Sequence, residues 1–154
     1  MIDPEKDGID HINIYSKGRT ELGRMLTNFS KFPIRTKDGD FMSVEGYWHW
    51  MSIEPCIERE SLRKCYGFWA KKTGKEILET KQSAFDEDFE HKILLAIWYK
   101  FRRNSHLILP EYRELPFYHY YNFGGKVVDV TDKYSWMIDG ITKMRDYLVS
   151  RIDS

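Results

Sequence analysis

Residues 11–15, HINIY, alternate apolar Ile12 and Ile14 with polar neighbours and end in an aromatic, the period of a short strand. The alternation stops at SKGRTELGRMLTNFS, a polar stretch with Gly18 and Gly23 that reads as a loop ending at Asn28 and Phe29. In FPIRTKDGDFMSVE, Asp38-Gly39 lies between two apolar segments and signals a hairpin. Ser43 then suits the N-cap of a helix whose first turn holds Glu45, where a negative charge is favoured. From about Glu58 to Glu79, Leu62, Tyr66, Trp69 and Ala70 recur at helical spacing; Gly67 and Gly74 interrupt it, predicting two helices or one with a break. The strongest helical pattern is SAFDEDFEHKILLAIWYKFRRN. Phe89, Ile93, Leu94, Ile97 and Phe101 form one apolar stripe, with acids early and Arg102 and Arg103 late. After Pro110 and Pro116, FYHYYNFGGKVVDV predicts β-structure broken by a Gly-Gly turn, and YSWMIDGITKMRDYLVSRI an amphipathic closing helix. This order predicts one helix-rich α+β domain over residues 1–154, with short strands and a hairpin, not an alternating parallel sheet.

Composition narrows the function classes. The 154 residues suit one domain, and the 16% aromatic content, including five Trp, must fill either a core or a pocket that stacks a planar ligand. Lys plus Arg and Asp plus Glu are both 24, so any nucleic-acid contact is expected to be local, not a polyanion coat. Cys56 and Cys65 have no paired CxxC spacing and predict neither a disulfide framework nor a zinc site, which suits a reducing cytoplasm. MIDPEKDGIDH lacks the basic flank and apolar stretch of a signal peptide, and no apolar run reaches membrane-spanning length, so the expectation is no export and no membrane. Neither G-x-G-x-x-G nor a Walker loop occurs, and His11, His91, His106 and His119 have no metal-ligand spacing; no cofactor and no metal are expected.

Four stretches could carry chemistry. In SVEGYWHWMSIEP, Glu45 and His49 share one helix face, while Tyr47, Trp50 and Met51 form another. One reading makes the aromatics core and Glu45 a helix-terminus acid; the other places Glu45 in an aromatic-lined cleft, where desolvation strengthens its pull on a developing positive charge. LGRMLTNFS offers Arg24 as a phosphate clamp and Asn28 beside Phe29, with Asn28 equally suited to a turn. GFWAKKTGKE brings Lys71, Lys72 and Lys75 together behind Trp69, either a solvated face or a partly buried amine nucleophile. In YNFGGKVVD, Gly124 and Gly125 allow close approach to a ligand or a tight turn, followed by Lys126 and by Asp129, a second carboxylate or a strand-end acid. His119, between Tyr118 and Tyr120, reads as half-buried.

Taken in order, INIYS, LTNFSKFPI, DGDFMSVEGYWHW and GFWAKKTGK resemble the NADAR superfamily, associated with NAD and ADP-ribose chemistry. The family pattern falls on Tyr15-Ser16, Asn28-Phe29, Pro33, Ser43, Glu45 and Tyr47, and KVVDVTDKYSWMIDGITKMRDYL extends a weaker likeness, to span about residues 11–149. The resemblance implies cleavage of N-glycosidic bonds. One branch removes ADP-ribose from guanine bases in nucleic acid, countering DarT-type toxins as an antitoxin or, in phage-encoded members, as protection against this defence. Another hydrolyses phosphorylated riboflavin intermediates. EGYWHW and AKxxGK look more like the first branch. The riboflavin-type Glu-His-Tyr-x-Gln-x-x-Lys is not kept: Gly46, His49 and Ser52 stand at its His, Gln and Lys positions.

If the chemistry traps the opened ribose on a lysine amine, as the resemblance implies, Lys71 is the first candidate and Lys126 the second. Glu45 would stabilise oxocarbenium character and Asp129 manage protons at the base or water. Asn28 would orient ribose hydroxyls, Arg24 or Arg19 the diphosphate, and Tyr47, Trp48 or Trp50 would stack a base. The expected partners are ADP-ribose and ADP-ribosylated DNA, presenting a single-stranded or extrahelical guanine. The expected location is the cytoplasm, that of the host for a phage-encoded member. The alternatives are an N-glycosidase on riboflavin intermediates and a non-catalytic ADP-ribose or NAD-binding module.

Overall fold

The computed structural model describes residues 1–152 and shows an α+β, helix-rich fold with short strands and a hairpin. In chain order the elements are β1 (Ile12–Asn13), α1 (Glu21–Leu26), β2 (Ile34–Thr36), β3 (Gly39–Phe41), α2 (Val44–Met51), α3 (Gly67–Ile77), α4 (Phe89–Arg103), β4 (Phe117–Tyr118), β5 (Tyr120–Phe123), β6 (Lys126–Asp129) and α5 (Ser135–Ile152). Backbone packing divides the chain into two compact units, one of Met1–Thr27 with Phe101 onward, the other of Asn28–Lys100. Among the described residues no helix is long and apolar enough to cross a membrane. Cys56 and Cys65 are both free thiols.

In the first unit β1 pairs parallel with β4, Ile12 opposite Phe117, and β5 pairs antiparallel with β6. Buried Asn13 extends this frame through its side chain. Its amide donates to Tyr120 O and accepts from Tyr120 N, both at 3.0 Å, so one side chain does the work of a backbone rung. Within the stretch expected to be a loop, α1 forms because Thr20 caps it, Oγ1 accepting from Gly23 N at 2.9 Å. Gly23 is required there: a Cβ would lie 2.1 Å from Asn13 O. From α5, Met137, Ile138 and Ile141 are buried, and Arg145 places its guanidinium 4.8 Å from the Phe117 ring centre while donating to the carbonyls of Tyr112 and Leu115.

The second unit begins its ordered structure with the predicted hairpin. Ile34, Arg35 and Thr36 of β2 pair with Phe41, Asp40 and Gly39 of β3, and Gly39 takes φ +107° at the turn. The predicted break in the 58–79 segment also occurs: a 3-10 helix spans Glu58–Lys64, and Gly67, at φ +57°, starts α3 anew. Gly74 interrupts nothing. It lies inside α3, where a Cβ would meet the His49 ring at 3.0 Å, so its absent side chain lets α3 lie against α2.

Candidate functional site

Glu45 stands in the first turn of α2, which Ser43 caps by accepting from Gly46 N at 2.9 Å while donating to Cys65 O at 2.8 Å. One hydroxyl thus starts the helix and ties it to the segment leading into α3. Ser43→Ala should cost about 1–2 kcal/mol, read as a lower midpoint in urea unfolding. Two further backbone bonds gather distant motifs around Glu45: Glu45 N donates to Asn28 O at 2.9 Å, and Gly67 N to Phe29 O at 2.9 Å. The Asn-Phe loop is therefore held between the starts of α2 and α3.

The Glu45 carboxylate accepts from His49 Nε2 at 3.0 Å, the i,i+4 partner one turn later, and these side chains are 14% and 23% exposed. A carboxylate with little water around it and one oxygen fixed by a ring is oriented without being neutralised by Lys or Arg. Gly46 has a packing reason to lack a side chain: a Cβ there would lie 2.5 Å from Leu62 O and 3.1 Å from Cys65 O. Gly46→Ala should destabilise the protein by about 1–3 kcal/mol in denaturant titration, because backbone must move to admit the methyl. Ser52 closes α2 by donating its hydroxyl to Trp48 O at 2.8 Å.

The aromatics divide differently from the expectation of a stacking platform. Tyr47 is fully buried, its ring 4.7 Å from Phe41 and its hydroxyl donated to Asp38 at 2.7 Å, so it is core and offers no open face to a base. Trp50 donates to the Glu60 carboxylate and carries the Arg59 guanidinium 3.6 Å from its ring centre. Half-buried Trp48 packs edge-on against Phe89 at 4.7 Å. Lys71 flanks the α2–α3 seam one turn before Gly74, but it is exposed, so burial supplies none of the activation considered for it.

The other expected residues belong to the first unit. Half-buried Tyr15 and exposed Arg19 line a cleft of about 170 Å³ with Lys17 and Asn122, next to exposed Ser16. Arg19 donates Nη1 to Glu5 O at 3.1 Å, and Arg24 donates Nη1 to Gly18 O at 2.7 Å. Gly124 and Gly125, at φ +58° and +95°, form the β5–β6 turn; a Cβ on either would meet nothing within 4 Å, so conformation alone explains them. Exposed Lys126 opens β6, and Asp129 ends it, its Oδ1 accepting from Thr131 N and Oγ1 as a turn-capping acid. Asp129 also lines a second cleft of about 540 Å³ with Asp10, His11 and Tyr118. Neither cleft includes Glu45 in its lining.

Two features escaped the sequence reading. Buried His11 links Asp10 to Tyr120, Nδ1 to the carboxylate and Nε2 to the hydroxyl, both at 2.6 Å. Burial, and then the charges of Asp7, Asp10 and Asp3, push the Tyr120 phenol well above its usual range. Lys100 is 1% exposed, with Nζ 5.9 Å from the Phe32 ring centre, and burial pulls its pKa down to about 7. The signal for Lys100 was present: it lies three, four and seven residues after Ile97, Ala96 and Ile93, on the buried stripe of α4.

No family model matches this sequence, and no curated protein matches it. A solved structure does: the NMR structure of the Escherichia coli protein YbiA, with a TM-score of 0.63 at 15% identity, covering 99% of this chain and 97% of that one. The fold is therefore YbiA-like over its full length.

Proposed function

We propose that this chain is an N-glycosidic bond hydrolase that removes ADP-ribose from guanine bases of DNA, reversing modification by DarT-type toxins, including as a phage counter to that defence. The observation that carries the reading is the closure around Glu45. Three of the four sequence motifs, Asn28-Phe29, Ser43-x-Glu45 and Gly67-Phe68-Trp69, are joined there by two backbone hydrogen bonds, and Ser43 adds a third to Cys65, two residues before Gly67. The YbiA-like fold over the full length agrees with the NADAR resemblance.

Hydrolysis breaks the bond from guanine nitrogen to ribose C1, the electron pair leaving with the base, which takes up a proton. Water supplies the oxygen that ends on C1. As the bond lengthens, positive charge grows on C1 and the ring oxygen, and a fixed carboxylate on that side lowers the barrier. Glu45 takes this role, and His49, holding one of its oxygens, is a positioning residue. Asn28, joined to Glu45 through the backbone, orients the ribose hydroxyls. Where the path goes through an amine, that amine attacks C1, loses a proton and expels guanine; water then releases ADP-ribose and restores the lysine. Lys71 is assigned this step because it belongs to the same unit as Glu45, with Lys126 the alternative. Asp129 is the proposed second acid, and Arg19 or Arg24 the diphosphate contact.

The test offers the purified protein guanine-ADP-ribosylated single-stranded DNA and phosphorylated riboflavin-pathway intermediates, followed by mass spectrometry, with borohydride added in parallel. Free ADP-ribose from the oligonucleotide alone is the expected result. A borohydride-trapped adduct lost in Lys71→Gln would assign the amine. Turnover only of the small intermediates would replace the DNA reading with the riboflavin-type one, and tight ADP-ribose binding without turnover would leave a binding module.

A further inference from the structure

Three aromatic side chains at the start of α3 are left in water: Tyr66 is 40% exposed, Phe68 73% and Trp69 48%. Their rings are held edge to face, Phe68 against Phe29 at 4.9 Å and 80°, Tyr66 against Trp69 at 5.9 Å and 82°. Lysines surround them. Lys31 Nζ lies 5.5 Å from the Tyr66 ring centre, and Lys71, Lys72 and Lys75 follow Phe68 at i+3, i+4 and i+7, on the side of α3 opposite buried Ala70 and Gly74. Lys72 has Glu76 at 4.0 Å; among the described residues Lys71 and Lys75 make no ion pair.

We propose that this face, running from Phe29 and Lys31 along α3 to Lys75, is a platform for a single nucleic-acid strand. It rests on the reading above that the substrate base is carried on such a strand. Exposed rings with ammonium groups alternating alongside suit bases that stack while their phosphates are neutralised. A duplex keeps its bases stacked on one another and gives these rings nothing to hold. A protein partner fits less well, since lysine is depleted at the centre of protein interfaces. From Phe68 to Lys75 the helix rises roughly 10 Å, enough for two or three nucleotides. The platform also begins beside the candidate site, because Phe29 follows the residue whose carbonyl holds Glu45 N. A local patch of this size is compatible with the zero net charge of the chain.

The test is fluorescence anisotropy with unmodified single-stranded and duplex oligonucleotides over a salt series. The proteins are full-length wild type, Phe68→Ala/Trp69→Ala and Lys72→Glu/Lys75→Glu, with Lys71 left intact. Wild type should prefer the single strand. The aromatic double variant should bind it about tenfold more weakly, at an unchanged melting temperature. The charge variant should flatten the slope of log affinity against log salt by about 1.4, two phosphates' worth. Equal affinities and slopes in all three proteins, or equal binding of duplex, would overturn the platform. The two readings fail separately: platform-dependent binding without ADP-ribose release from any substrate leaves the platform and removes the hydrolase, whereas release with binding indifferent to both variants does the reverse.

Discussion

Glu45→Gln should lower ADP-ribose release by about 10²–10³-fold with the fold intact. The substitution keeps shape and removes only charge. A glutamine oxygen can still accept from His49 Nε2, now at 3.0 Å from the carboxylate, so the positions of α2 and His49 should not move. What is lost is the full negative charge proposed to face the sugar, which matters most when C1 carries positive character and least in the ground state. The drop should therefore appear in kcat, with KM little changed. Losing an acid from the first turn of α2 should cost only about 0.3–1 kcal/mol of stability. If Glu45 were merely a helix-terminus acid, that small stability loss would be the whole effect. A mutant with wild-type turnover would establish this.

The second large effect concerns Lys100. Burial disfavours its charged amine and pulls its pKa from the ordinary 10.5 down to about 7. A base whose folded pKa is depressed weakens the fold wherever the unfolded chain is protonated. The penalty is fully present below pH 7, shrinks as pH rises, and is gone above about 10.5. Stability from this group therefore rises with pH across that window, by on the order of 4–5 kcal/mol at its limits. Buried Tyr47 and Tyr120, whose phenols are pushed well above their usual range mainly by burial, oppose this above about pH 10, where the unfolded chain would lose protons the folded one keeps. Lys100→Met should be more stable than wild type at pH 6.5 and should lose most of the rise between pH 7 and 9.5, measured by urea unfolding. Parallel pH profiles for the two proteins would contradict the burial account.

These residues show which parts of the structure were legible. Ser43 and Asp38-Gly39 were readable because a cap and a tight turn are local events settled within four residues. The break before α3 was readable because Gly67 adopts a backbone conformation other residues resist. By contrast, α1 was hidden: six residues including Gly23 give little periodicity, and its formation depends on the close approach of Asn13. The pairing of β1 with β4 involves two residues from each strand and crosses most of the chain.

In the candidate site, the i,i+4 relation of Glu45 and His49 could be read from spacing alone. The bonds from Glu45 to Asn28 and from Gly67 to Phe29 could not, since backbone amides carry no side-chain signature. Tyr47 illustrates the opposite limit. Its place in an aromatic motif allows either core packing or stacking, and its burial depends on Phe41 and Asp38, which no spacing rule connects to it. Lys71, which the sequence leaves open between a solvated face and partial burial, is exposed, whereas Lys100, on the strongest predicted helix, is enclosed.

Whether Glu45 serves the cleavage of a base-to-ribose bond is decided by one comparison. Wild type and Glu45→Gln are incubated with guanine-ADP-ribosylated single-stranded DNA, and both the oligonucleotide and the released sugar nucleotide are followed by mass spectrometry. Wild type should return unmodified guanine and free ADP-ribose, while the variant leaves the oligonucleotide modified over the same time. An oligonucleotide that stays modified with both proteins, although both bind ADP-ribose tightly, would contradict it.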